Sequence, residues 1–279
     1  MSIVFIRIIP LITSLLVLLS FELILAKPSL IWILGAFVLI LVFGATFLIS
    51  TKKINRKFWR FLLSPFLFIF SSLIFFIFFI SESVFLKHFL IAMIAVILGI
   101  ILENTFRFFY DRKIFFSYSL DNLFHYTNLL SLFLFFSGVY SINVFFEVAA
   151  WVLLPLVFLV MLAMSYQNYW VCEAFRATPQ AVDLADSLQQ KVAALIHRSQ
   201  VESRLYILIP ALVLLEIFWV VSYLPTSFYV NGFFLILVYY GITNIIRARL
   251  QNTFESGVVK RCLVWGVVAL AIILFTARW

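Results

Sequence analysis

The chain has 279 residues, 65% of them hydrophobic and only 11% charged, against roughly a quarter charged in soluble domains. Its mean hydropathy of +1.16 excludes a water-soluble domain, because there is too little polar surface to cover such an apolar interior, and the bilayer must be the solvent. The net charge of +8 is spread between apolar runs rather than gathered in a basic domain. It therefore excludes a nucleic-acid interface and marks membrane topology instead.

A membrane-crossing helix needs about 20 mainly apolar residues. About nine segments meet that length in chain order: 3–26, 30–49, 61–80, 85–102, 120–141, 144–166, 205–224, 229–246 and 258–277. The expected fold is all-α, a polytopic bundle forming a single membrane domain. The first segment has the Arg7 flank of a signal peptide, but Ile24 stands where cleavage wants a small residue and Lys27-Pro28 follows. An uncleaved anchor is expected. The turns Lys27–Ser29, Ser81–Val84, Ile142–Asn143 and Pro225–Phe228 are short, so the chain reads as four hairpins and a last span.

Orientation follows from the distribution of Lys and Arg. The run from Lys52 to Arg60 holds five basic residues between the second and third segments, the strongest cytoplasmic mark in the chain. With that run inside, only Lys27, Lys87 and Arg278 of the 20 Lys and Arg fall outside. The N-terminus is expected in the cytoplasm and the C-terminus outside. Trp59, Trp170 and Trp265 then lie near the inner face, and Trp32 and Trp279 near the outer face, as interfacial aromatic belts require.

The longest hydrophilic stretch, 167–204, contains an expected amphipathic cytoplasmic helix over 179–198. Thr178-Pro179 supplies an N-cap and a first-turn proline. Ala181, Leu184, Ala185, Leu188, Val192 and Leu195 recur at helical spacing opposite Asp183, Asp186 and Lys191. Its balanced charge suits packing on the bundle better than clamping to lipid.

Ionisable groups inside a bilayer are costly and are functional candidates by default. Glu216 lies eight residues before the end of its segment at Leu224, about 12 Å below the interface at 1.5 Å per residue. Trp219 follows one turn on, and Glu22, about one turn below the outer end of its own segment, could face the same region. Glu216, Glu22 and Trp219 form the candidate intramembrane polar site. Two readings stand for Glu216: a proton or cation site, or a neutral carboxyl that pins two helices by a hydrogen bond. Glu103 and Arg107, spaced i, i+4, are expected to pair within their helix. Ala92, Ala95 and Gly99 on that helix make a small-residue strip for close helix contact.

No catalytic residue, metal site or cofactor is expected. The chain lacks HExxH, GxSxG, P-loop and GxGxxG patterns, and it has no Asp-rich pair of the kind membrane prenyltransferases use for Mg²⁺-diphosphate. Cys172 and Cys262 are far apart and outside any CxxC, so they read as reduced structural thiols. His88, His125 and His197 fall at different depths and form no haem-type pair.

The stretch Glu216-Ile217-Phe218-Trp219, with Leu224-Pro225-Thr226-Ser227-Phe228-Tyr229-Val230-Asn231-Gly232, resembles a segment of uncharacterised multi-pass membrane proteins of small-genome bacteria. The resemblance implies a bacterial inner membrane and no particular activity. The sequence thus reads as an inner-membrane protein, foremost a structural or interaction subunit of a membrane complex. The alternative is a small transporter or lipid-handling protein with a bundle-facing carboxylate. The expected partners are the lipid bilayer and either a membrane protein or a second copy in a homo-oligomer.

Overall fold

The computed structural model describes residues 3–50, 56–79, 84–110, 117–176, 189–224 and 226–250, with scattered positions between 257 and 275. The helices are α1 (Ile3–Ala26), α2 (Ile31–Ile49), α3 (Arg56–Phe79), α4 (Val84–Tyr110), α5 (Ser117–Phe145), α6 (Ala150–Arg176), α7 (Gln189–Val221) and α8 (Phe228–Leu250). Among the described residues there is no strand, and eight helices are long and apolar enough to cross a membrane. The chain is therefore an all-α polytopic membrane protein. The ninth expected span, 258–277, falls largely outside the described residues, as does 179–188 of the expected amphipathic helix. The remainder of that helix, 189–198, is the first part of α7 and runs without a break into the seventh span.

The chain divides into two compact units, residues 1–141 and 142–279. In the first, α1 packs on α4 and α2, α3 packs on α2 and α4, and α2 also touches α4. Pro28 opens a single 3-10 turn, Pro28–Leu30, that reverses the chain between α1 and α2. There the Leu30 N–H donates to the Lys27 carbonyl at 3.0 Å. Pro is suited to that first position because its missing N–H would have had no helical acceptor.

The α3 and α5 spans are 67% and 61% buried, against 28% for α2 and α4, so α3 and α5 are the interior helices. Their sequences explain why. Ser64, Ser71, Ser72, Thr127, Asn128, Ser131, Ser137 and Ser141 are all buried, and small hydroxyl residues let membrane helices approach closely. Several return their hydroxyl to the preceding turn: Ser72 to Phe68 O at 2.7 Å, Ser131 to Thr127 O at 2.7 Å and Ser141 to Ser137 O at 2.8 Å. The backbones approach closely at Gly138 of α5, where an added Cβ would lie 2.6 Å from Ile74 Cγ2 and 3.1 Å from the backbone nitrogen of Phe75. Phenylalanines fill the space alongside. Phe21 meets Phe76 edge-on at 5.2 Å, and Phe61 touches the rings of Phe108, Phe109 and Phe124.

In the second unit α6, α7 and α8 pack pairwise. The connection before α6 falls four residues later than the sequence suggests. Ile142 and Asn143 remain in α5, which continues to Phe145. Asn143 sits in the last turn and sends its amide to the Val148 carbonyl at 2.7 Å, which closes the loop from within the helix. Glu147 takes φ 53 there, the described non-glycine residue with positive φ.

Trp32, at the start of α2, is 80% exposed and Trp59, at the start of α3, is 55% exposed. The two rings thus mark opposite ends of an adjacent antiparallel pair, as interfacial anchors do.

Candidate functional site

The eight spans contain three carboxylates, Glu22, Glu103 and Glu216. Each meets a different environment, and those environments define the site.

Glu22 lies near the end of α1, one turn before Ala26. Its Oε1 is 2.8 Å from Nδ1 of His88 at the start of α4, with both side chains partly exposed. The sequence places His88 near the outer face but gives no reason to join it to Glu22. The antiparallel register of α1 and α4 supplies the reason. Ser14 Oγ donates to the Ala95 carbonyl, and carrying that pairing two turns along both helices brings Glu22 opposite His88.

Glu103 accepts from Arg107 Nε at 2.9 Å across one turn of α4, the expected intrahelical pair. Asn104 turns back to the Ile100 carbonyl at 2.8 Å. Carrying the same register the other way brings Arg7 of α1 level with Glu103. Between them is a cavity of about 510 Å³ lined by Arg7, Pro10, Ser14, Gly99, Glu103 and Arg107, among others. In the sequence Arg7 is a topology marker and Arg107 the partner of Glu103; that both line one cavity depends on how two helices distant in sequence pair.

Glu216 belongs to α7 in the second unit. The helix ends at Val221, sooner than expected, so Glu216 is five residues from its end, about 7.5 Å along the axis. The side chain is exposed on the surface of the chain. Trp219, one turn on, is 37% exposed, and Tyr223 meets it edge-on at 6.0 Å. Among the described residues Glu216 has neither an ion pair nor a hydrogen bond, unlike the other two span carboxylates.

One further polar group lies deeper. Gln167 of α6 is 0% exposed, and among the described residues neither its amide nitrogen nor its amide oxygen has a hydrogen-bond partner. A buried primary amide with both ends unpaired costs on the order of 1–3 kcal/mol. A Gln at the end of an apolar run is the only trace of this in the sequence. Among the described residues no three His, Cys, Asp or Glu side chains gather as ligands around a metal would.

No family model, curated protein or solved structure matches the chain.

Proposed function

We propose that this membrane protein is an interaction subunit of a bacterial inner-membrane complex, joined to its partner through the Glu216 face of α7. The observation that carries this reading is the pairing pattern of the span carboxylates. Glu22 and Glu103 have partners on the same chain, whereas Glu216 is exposed with none among the described residues. A carboxylate turned toward hydrocarbon costs several kcal/mol when charged. A donor from a neighbouring membrane helix, a Lys, Arg, His or amide at that depth, removes most of that cost.

The surroundings agree with a helix–helix contact. Trp219, Val220 and Tyr223 form an exposed patch beside Glu216, with Val220 63% and Tyr223 69% exposed. A second copy docked symmetrically on this face is disfavoured, because a two-fold axis along α7 would bring two Glu216 carboxylates together. A partner of different sequence, bearing a cation, fits better. The Lys/Arg distribution supports a cytoplasmic N-terminal end, with Glu216 in the outer half.

Site-specific photo-crosslinking tests this. A benzophenone amino acid at Val220, in cells expressing the full chain at native level, is expected to give one discrete protein adduct. Glu216→Leu is expected to abolish that adduct, while a probe at Trp32 on α2 gives none. Labelling of lipid alone from Val220, or an adduct indifferent to Glu216→Leu, would overturn the reading.

A further inference from the structure

The cavity between α1 and α4 has the chemistry of a different ligand. Its polar end is formed by Arg7 and Arg107 on facing helices, and Glu103 also lines it. Glu103 is already engaged by Arg107 through Nε, and among the described residues the two terminal amino groups of Arg107 have no hydrogen bond or ion pair. Arg7 is exposed and has no carboxylate partner among the described residues, although it lines the same cavity as Glu103. Two guanidinium groups against one carboxylate leave the pocket with a net positive charge, and guanidinium forks bind phosphate oxygens in pairs.

The other end is apolar. Leu11, Val96 and Ile100 line it and are 69%, 59% and 46% exposed, so the cavity opens sideways, along the outer surface of the helix pair. It closes where α1 and α4 touch. There Ser14 Oγ donates to the Ala95 carbonyl, and an added Cβ on Gly99 would come within 3.1 Å of that hydroxyl oxygen. Pro10 lines the gap and cannot donate to the Ile6 carbonyl one turn back. The groove thus grades from cationic to hydrocarbon-like along the membrane normal.

The depth matches. Arg7 and Ala26 are nineteen residues apart on α1, or about 28 Å at 1.5 Å per residue, close to the roughly 30 Å hydrocarbon thickness of a bilayer. With one end of α1 at one interface, Arg7 reaches the headgroup level of the other.

We infer that this cavity is a binding site for an anionic phospholipid. The headgroup phosphate lies between Arg7 and Arg107, and the upper acyl chains run along Leu11, Val96 and Ile100. The positive-inside distribution of charge places the site in the cytoplasmic leaflet, where anionic headgroups and basic side chains attract one another. Glu103 holds Arg107 in place and limits the affinity. This inference rests on α1 and α4 alone and is independent of the Glu216 face.

Native mass spectrometry of the full chain, delipidated in mild detergent and titrated with defined ligands, tests it. Phosphatidylglycerol is expected to be retained in preference to phosphatidylcholine. Arg7→Gln, which leaves the Glu103–Arg107 pair intact, is expected to weaken that retention about tenfold, as is Arg107→Gln. Glu103→Gln is expected to strengthen it, a gain that a misfolded variant cannot show. Equal retention of the two lipids, or retention unchanged in both arginine variants, would overturn the site. Displacement of phosphatidylglycerol by inorganic phosphate at matched concentration would reject the lipid and assign the arginine pair to free phosphate.

Discussion

Glu22 of α1 and His88 of α4 join the two helices at one end, Oε1 to Nδ1 at 2.8 Å, while Arg7 and Glu103 near the other end line a cavity without pairing. The same helix pair is thus closed by a carboxylate–imidazole contact at one end and left open beside charged groups at the other. That asymmetry separates a contact that holds the fold from one that leaves room for a ligand.

The first expectation concerns the closed end. Because both side chains are partly exposed, the Glu22–His88 interaction is modest, with a coupling energy of about 0.2–1 kcal/mol. A double-mutant cycle with Glu22→Gln and His88→Ala, read by thermal unfolding in detergent, measures it directly. Neither single variant is expected to alter phosphatidylglycerol retention, since the pair lies at the far end of α1 from Arg7.

The interior helices give a sharper test. Gly138→Ala places a methyl group 2.6 Å from Ile74 Cγ2 and 3.1 Å from a backbone nitrogen, and the backbone cannot yield as a flexible side chain can. A loss of about 1–3 kcal/mol is expected, seen as a lower melting temperature. Gly44→Ala is the matched control, because among the described residues nothing lies within 4 Å of its added Cβ. It is expected to be neutral or stabilising by up to about 1 kcal/mol, the helix-propensity difference between Gly and Ala. If both variants melt alike, the close approach of α3 and α5 at Gly138 is wrong.

Gln167 is expected to be a stability cost. Replacing it with Leu, of similar size and without polar atoms, removes two unpaired buried groups and is expected to stabilise the chain by about 1–3 kcal/mol. Destabilisation by Gln167→Leu would mean that the amide holds a ligand or an ordered water, and its place in α6 would then become a site to pursue.

The orientation proposed from charge is checked by labelling in intact cells. A cysteine at Ser29, in the turn between α1 and α2, is expected to react with a membrane-impermeant maleimide. One at Lys53, in the basic run, is expected to react only after permeabilisation. The reverse pattern would place Arg7 and Arg107 in the outer leaflet and remove the cytoplasmic assignment of the lipid site.

Length and hydropathy alone determined that the chain is an all-α membrane protein and where most of its spans lie, because every backbone polar group in hydrocarbon must be satisfied within its own helix. The Glu103–Arg107 pair was legible for a related reason: four residues along one helix fix two side chains on one face. Local logic failed where a side chain acted across a helix end, as Asn143 does in carrying α5 to Phe145 and its turn past Ile142. It also failed to anticipate that α7 would continue unbroken from Gln189 into the seventh span. Only the tertiary structure decided which groups meet between helices. Ser14 on Ala95 sets the register of α1 against α4, and that register pairs Glu22 with His88, brings Arg7 level with Glu103 and leaves the cavity between them. Hydropathy carries no such information, since lipid is as apolar as the helix faces it bathes, and helix pairing in a membrane is decided instead by close packing and a few hydrogen bonds.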